Sequence, residues 1–389
     1  MSVCILLTAV EASGDALGAE LMRALKARLG PEVRFVGVGG DAMAAEGLVS
    51  AFPIGELSIV GLVEGLFAFA RARRRARELA ELARRERPDI AVLIDSWGFS
   101  YLAARALRRR LPGLPLVKYV APQVWATRPG RAKALARSFD RLLSIIAFEP
   151  QIFEAAGAKV VFVGHPALTG TPAPADPEGF RAEIGARPED QILLVLPGSR
   201  HSEIDRLMPP FTDAIRRLKA ERPHLHVVVL AASTVTDRVI AEVAGWPFRA
   251  HVVTGDADKA DAMAAATVAL ACSGTATVEL AAAGAPMVIA YRLGPLTYQI
   301  ARRIIRIPYA ALFNLAAGAA VAPELLQDAC TGPNLAREIA LRLDDPVVRV
   351  RQVEAQNGAL EQLGRGGAPT AERAADEVVG MLDARESRT

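Results

Sequence analysis

Along the chain, short apolar runs alternate with longer segments whose apolar residues recur at the spacing of one helix face. In the first half, Val3–Ala9, Val33–Val38, Ile90–Ile94, Leu116–Val120, Arg141–Ile146 and Val160–Val163 read as strands. In the second half the same reading falls on Ile192–Leu196, Leu225–Ala231, Ala250–Val253, Thr267–Cys272 and Pro286–Ala290. Short apolar strands separated by helical stretches predict α/β architecture with parallel sheets. Leu168–Pro177, rich in Pro, Thr and Ala, is the natural linker. Two such halves predict a cleft between domains, a usual place for a ligand. The tail reads as helical to about Leu382.

Composition narrows the class. With 389 residues, two domains are the default. Apolar residues make up 51% of the chain and aromatics 5%, which fits an Ala/Val/Leu-rich α/β protein and excludes a disordered one. A formal charge of +3 removes any bulk argument for nucleic acid. Cys4, Cys272 and Cys330 are scattered without metal-ligand spacing and read as buried thiols in a reducing compartment. The apolar run Val3–Val10 is strand-length and meets Glu11 at once, so no leader is expected. Leu57–Ala70 is too short to span a bilayer and carries Glu64. A cytoplasmic protein is expected, with membrane contact left open.

Chemistry concentrates in the turns after strands. Ile192–Leu196 runs into Pro197-Gly198-Ser199-Arg200 and then an amphipathic helix from Glu203 to Arg222. Unpaired amides and the macrodipole at such a helix start favour an anion, and the Arg200 guanidinium suits a phosphate. The plainer alternative is a strand–turn–helix with a surface arginine. A second turn of this type, Ser273-Gly274-Thr275, follows Thr267–Cys272, with Glu279 one helical turn on, within reach of a nucleotide sugar. Glu279 also reads as an ordinary first-turn carboxylate. After the first strand, Glu11-Ala12-Ser13-Gly14-Asp15 makes a polar turn where open α/β sheets bind ligands; it lacks the dinucleotide glycine triplet, which argues against a dehydrogenase. Asp95 ends the apolar run Ile90–Ile94 in the equivalent position, and reads equally as the cap of the next helix. Gly39-Gly40 and His165 read as structural punctuation. Asn314, amid apolar residues, needs a partner from protein or ligand.

One segment stands apart. Val63, Leu66, Phe67 and Phe69 lead directly into Arg71, Arg73, Arg74, Arg75 and Arg77. Such a helix suits an anionic membrane surface. It also describes a core helix with a solvated basic end, in which case its hydrophobic residues must be buried against the sheet.

In order along the chain, Ala9–Asp15, Phe35–Met43, Ile94-Asp95, Tyr119–Trp125, Phe148-Glu149, Phe162–Pro166, Leu196–Arg200, Ser273–Glu279, Pro286–Arg292 and Asn314–Gln327 together resemble the lipid-A-disaccharide synthase family, glycosyltransferase family 19. The resemblance spans nearly the whole chain. It implies the GT-B architecture: two Rossmann-like domains with parallel sheets facing a central cleft. Residues 1–168 would bind the acceptor, 169–177 would link, 178–350 would bind the UDP-sugar, and the helical segment 351–389 would pack back toward the first domain. The implied reaction moves 2,3-diacylglucosamine from its UDP donor to 2,3-diacylglucosamine 1-phosphate, giving the β-1,6 disaccharide with inversion. The resemblance makes Asp95 the general base and gives donor-binding or catalytic roles to Arg200 and Asn314. Glu11, Ser13, Gly14, Ser199, Ser273, Gly274, Thr275 and Gln327 are expected to line the substrates, and Glu279 the ribose by analogy with other GT-B enzymes. No metal and no cofactor are expected. Partners are the two lipid substrates and an anionic membrane at the inner face of the inner membrane, without nucleic acid; monomer and homodimer stay open.

The sequence departs from the family pattern at Val10, Gly98, Thr127, Ala147 and Ala319-Ala320, where Gly, an acidic residue, Trp, Pro and Arg-Glu are usual. These departures keep two rivals in view: a GT-B transferase for another UDP-sugar or lipid acceptor, and an inactive homologue that binds nucleotide-sugar without turnover.

Overall fold

The computed structural model describes residues 3–54, 65–124, 130–169, 174–255, 258–304 and 307–387. Two compact units emerge: residues 1–170 with 366–389, and residues 171–365. The expected division after 350 falls inside the helix Pro346–Gln362. From that helix Gln352 donates to the Met287 carbonyl (2.8 Å) and Gln356 to the Ala285 carbonyl (3.1 Å), which bind it to the second unit. The chain returns to the first unit only after Arg365.

The first unit is a six-stranded parallel sheet of β1 (Cys4–Thr8), β2 (Arg34–Val38), β3 (Ile90–Ile94), β4 (Leu116–Tyr119), β5 (Arg141–Ser144) and β6 (Val160–Phe162). Their order is β2-β1-β3-β4-β5-β6, so the winding reverses between β1 and β3. β1 and β3 are buried along their whole length, as their unbroken apolar sequences require. One face of the sheet is covered by the helices Gly65–Glu86, Trp97–Arg110 and Gly130–Ser138, through residues such as Leu79, Ala83, Ala103 and Leu135. The other is covered by the helix Ala12–Leu29 and the C-terminal helix Thr370–Glu386. The latter contributes Ala371, Ala374, Ala375, Val378 and Leu382, one stripe at helical spacing. Gly37 in β2 has φ +138, and a Cβ there would lie 1.9 Å from the Leu7 carbonyl oxygen, so only glycine lets β2 approach β1 this closely.

The second unit repeats the plan with β7 (Ile192–Leu196), β8 (His226–Ala231), β9 (His251–Thr254), β10 (Val268–Cys272), β11 (Met287–Tyr291) and β12 (Glu324–Leu326). The order β12-β11-β10-β7-β8-β9 places the reversal between β7 and β10. The sequence pattern did not predict β12. It is a three-residue edge strand just after Pro323, too short to show a period. The helix after β7 begins at His201, two residues before the amphipathic pattern becomes evident.

Candidate active site

In open α/β sheets the ligand crevice opens at the carboxyl ends of the strands flanking the reversal. Each unit therefore has its own candidate crevice, and the sequence-predicted residues sort onto these two places.

In the first unit, the β1 turn (Glu11, Ser13, Gly14) and Asp95 after β3 meet across the reversal. The Ser13 hydroxyl donates to Asp95 Oδ2 at 3.4 Å. Gly14 is buried between them, and a Cβ there would touch those of Ala9 and Asp95, both at 3.5 Å. Glu11 occupies the N-cap position of the Ala12–Leu29 helix and is exposed. Asp15, which the sequence reading left without a role, is buried and accepts from the amides of Gly40 (2.7 Å), Ala42 (2.9 Å) and Met43 (3.2 Å). It fastens the Gly39-Gly40 turn to the β1 helix.

Asp95 is partly buried, and its backbone is unusual. It has φ +47 and Ser96 has φ +35, two successive non-glycine residues in the left-handed region. Each such residue costs on the order of 1–3 kcal/mol and persists only where its surroundings hold it. The Asp95 carbonyl accepts from the Ser100 hydroxyl at 2.7 Å and from the Lys118 ammonium. Lys118 sits in β4, wholly buried, and also donates to the Leu93 carbonyl (3.3 Å), Ser100 Oγ (3.1 Å) and the Tyr119 carbonyl (3.4 Å). Burial pushes its pKa down to about 7, against the opposing pull of the Asp95 and Glu11 charges. Sequence reading missed Lys118 because one cation inside Leu-Val-Lys-Tyr does not interrupt a strand pattern.

His165 is buried, and its Nδ1 accepts from the Ala167 amide at 3.2 Å. Desolvation lowers its pKa to about 4, so it stays neutral and structural. In the basic helix, Ala72, Ala76, Leu79, Ala80 and Ala83 are buried against the sheet, while Arg71, Arg73 and Arg74 face solvent and Phe69 is 54% exposed. The helix thus serves the core along one stripe and presents arginines beside an aromatic on the other. Val63 and the side chains of Leu66 and Phe67 lie outside the described residues. Among the described residues, no helix is long and apolar enough to cross a membrane.

In the second unit, the β7 turn (Gly198, Ser199, Arg200) faces the β10 turn (Ser273, Gly274, Thr275) across the reversal. The expectation of unpaired amides at the helix start is corrected here. The buried Glu203 carboxylate accepts from the Ser199 amide (3.0 Å) and the Arg200 amide (3.3 Å), and the Tyr291 hydroxyl donates to it at 3.3 Å. An internal carboxylate therefore takes these two donors, at the position where an anion is favoured. Glu203 also holds Arg200 through one guanidinium nitrogen at 3.0 Å, while the Arg200 side chain is 70% exposed. Gly198 has φ +121, and a Cβ would lie 2.6 Å from Glu203 Oε2, so the turn needs glycine. Burial and the Glu203 charge raise the Tyr291 phenol to about 12.

In the β10 turn Ser273 is partly buried, and Gly274 and Thr275 are exposed. Glu279 pairs with Lys259 at 2.5 Å. Beyond β11, Arg292 Nε donates to the carbonyl of Gln327 (3.2 Å), and Gln327 itself has φ +52. Asn314 finds its partners in protein: its amide donates to the Ala322 carbonyl (2.9 Å) and Glu324 Oε1 (2.7 Å) and accepts from the Ala322 amide (3.0 Å). It closes the loop leading into β12 rather than projecting from it.

Of the positions that depart from the family pattern, Gly98 has open space where a Cβ would stand, and Val10 is buried. Ala319 and Ala320 are exposed, and Thr127 lies outside the described residues.

The family model for lipid-A-disaccharide synthetase matches residues 5–378. Curated proteins named lipid-A-disaccharide synthase include one from Paramagnetospirillum magneticum, 44% identical over 97% of both chains. Another, from Rhodospirillum centenum, is 41% identical over 98% of this chain and 95% of its own. Among solved structures, S. aureus MnaA with UDP aligns at TM-score 0.67 and 12% identity, covering 98% of this chain and 97% of that one. CalG4, the calicheamicin glycosyltransferase, aligns at 0.59 and 19%, covering 98% of each. At these identities the solved structures speak for the two-unit fold alone.

Proposed function

Because the chain belongs to the lipid-A-disaccharide synthetase family, we propose that it transfers 2,3-diacylglucosamine from a UDP donor to 2,3-diacylglucosamine 1-phosphate with inversion. Asp95 removes the proton of the acceptor 6-hydroxyl as that oxygen attacks the anomeric carbon. The carbon–oxygen bond to the diphosphate breaks, and UDP departs with the electron pair. Its developing charge is met by the Arg200 guanidinium and the turn Ser273-Gly274-Thr275. Glu279 takes the ribose hydroxyls, and Arg292 and Asn314 keep the β11 and β12 ends in place. Arginines 71, 73 and 74 and the apolar residues Val63, Leu66, Phe67 and Phe69 hold the protein to anionic lipid at the inner face of the inner membrane, where both substrates reside.

The observation that carries this reading is the Asp95 carboxylate, presented at the β1–β3 reversal by a strained turn. Asp95→Ala is expected to abolish transfer and leave UDP binding intact; near-normal turnover would remove the base assignment. The departure at Gly98 keeps a second reading, a GT-B transferase for another UDP-sugar or lipid acceptor, and donor and acceptor panels separate the two.

A further inference from the structure

A lysine buried to zero exposure is expensive, because an ammonium loses its hydration on entering the interior. Lys118 donates to carbonyl and hydroxyl oxygens that gather at the carboxyl ends of β3 and β4. They include the carbonyl of Asp95, which Ser100, itself 1% exposed, also grips. That carbonyl belongs to the first of the two left-handed residues.

We propose that Lys118 and Ser100 form a buried clamp that holds the Asp95–Ser96 turn in its strained geometry and so aims the Asp95 carboxylate into the crevice. Both are positioning residues: neither reaches the crevice, and each acts through the peptide oxygen of Asp95. Without them the turn relaxes toward ordinary backbone angles, and the carboxylate swings away from Ser13 while the sheet keeps its core. The proposal rests on Asp95 being the base, so its test carries an Asp95 control.

The experiment compares the full-length wild type with Asp95→Asn, Lys118→Met, Ser100→Ala and Ser100→Thr. It measures kcat, the KM of each substrate and UDP affinity by calorimetry, with circular dichroism and thermal unfolding as the check on folding. Lys118→Met and Ser100→Ala are expected to lower kcat by about 100-fold, the scale of an ångström of misplacement. Each KM should stay within about threefold and UDP affinity should be unchanged. Ser100→Thr, which retains the hydroxyl, should recover most of kcat. A kcat within about twofold of wild type in Ser100→Ala with UDP binding retained overturns the clamp, whatever Lys118→Met does. Should Lys118→Met lose its cooperative unfolding transition through misfolding, the Ser100 pair decides alone. If Asp95→Asn itself turns over normally, the base assignment fails first, a result distinct from a dead Asp95→Asn beside an active Ser100→Ala.

Discussion

In the proposed reaction, individual side chains at strand ends carry the chemistry, and several act by restraining a neighbour. Glu203 turns the β7 loop into a fixed platform by accepting two of its amides and orienting Arg200. Arg200→Ala is expected to weaken UDP binding by about 1.5–3 kcal/mol, the worth of a hydrogen bond to a charged group; unchanged calorimetric affinity would remove its phosphate role. Glu203→Gln keeps the shape but loses the charge that holds both amides and the guanidinium, so a weaker UDP affinity is expected there as well. Lys118 makes a prediction about pH. Its folded pKa of about 7 lies below the 10.5 of an unfolded lysine, so between those values the unfolded chain binds more protons and stability rises with pH. Relative to Lys118→Met, the wild type should gain unfolding free energy from pH 7 to pH 10 in denaturant titrations. A pH-independent difference would mean that the ammonium is not desolvated.

At the scale of elements, apolar strands and helical periods made both parallel sheets legible in the sequence, since a strand buried on both faces has no polar positions to obscure it. What stayed hidden was short or paired at a distance. β12 has three residues, and its place on the sheet depends on Asn314 and Glu324 closing the loop before it. Asp95 was visible as a strand-end carboxylate, but its left-handed φ and the Lys118 behind it follow from β3–β4 register rather than from any local motif. Glu203 showed only as the start of a helical pattern, and the fold reveals that it faces inward onto the loop it follows. The basic helix gave two readings; its buried stripe fits the core one, and the membrane one is a proposal about its exposed arginines. Reversing the charge of Arg71, Arg73 and Arg74 to Glu should cost about 1 kcal/mol of membrane attraction per arginine removed, hence a hundredfold or greater loss of binding to anionic vesicles in sedimentation. Unchanged sedimentation would leave that helix a purely structural element.

Across the whole molecule, a duplicated plan serves an asymmetric reaction. Each unit is a parallel sheet with one reversal. The first carries the Asp95 carboxylate there, and the second carries Arg200 and the Ser273-Gly274-Thr275 turn, the groups to which the proposed reaction assigns the proton and the diphosphate. The last helix, Thr370–Glu386, belongs to the first unit although it follows the second in sequence, so the chain passes between the units twice. The central claim is the reaction itself, and product mass spectrometry tests it most directly. Purified protein is incubated with UDP-2,3-diacylglucosamine and 2,3-diacylglucosamine 1-phosphate, and the lipid extract is analysed. The account predicts a tetraacyl disaccharide 1-phosphate together with an equal amount of UDP; intact substrates, recovered from a protein that still binds UDP, would contradict it.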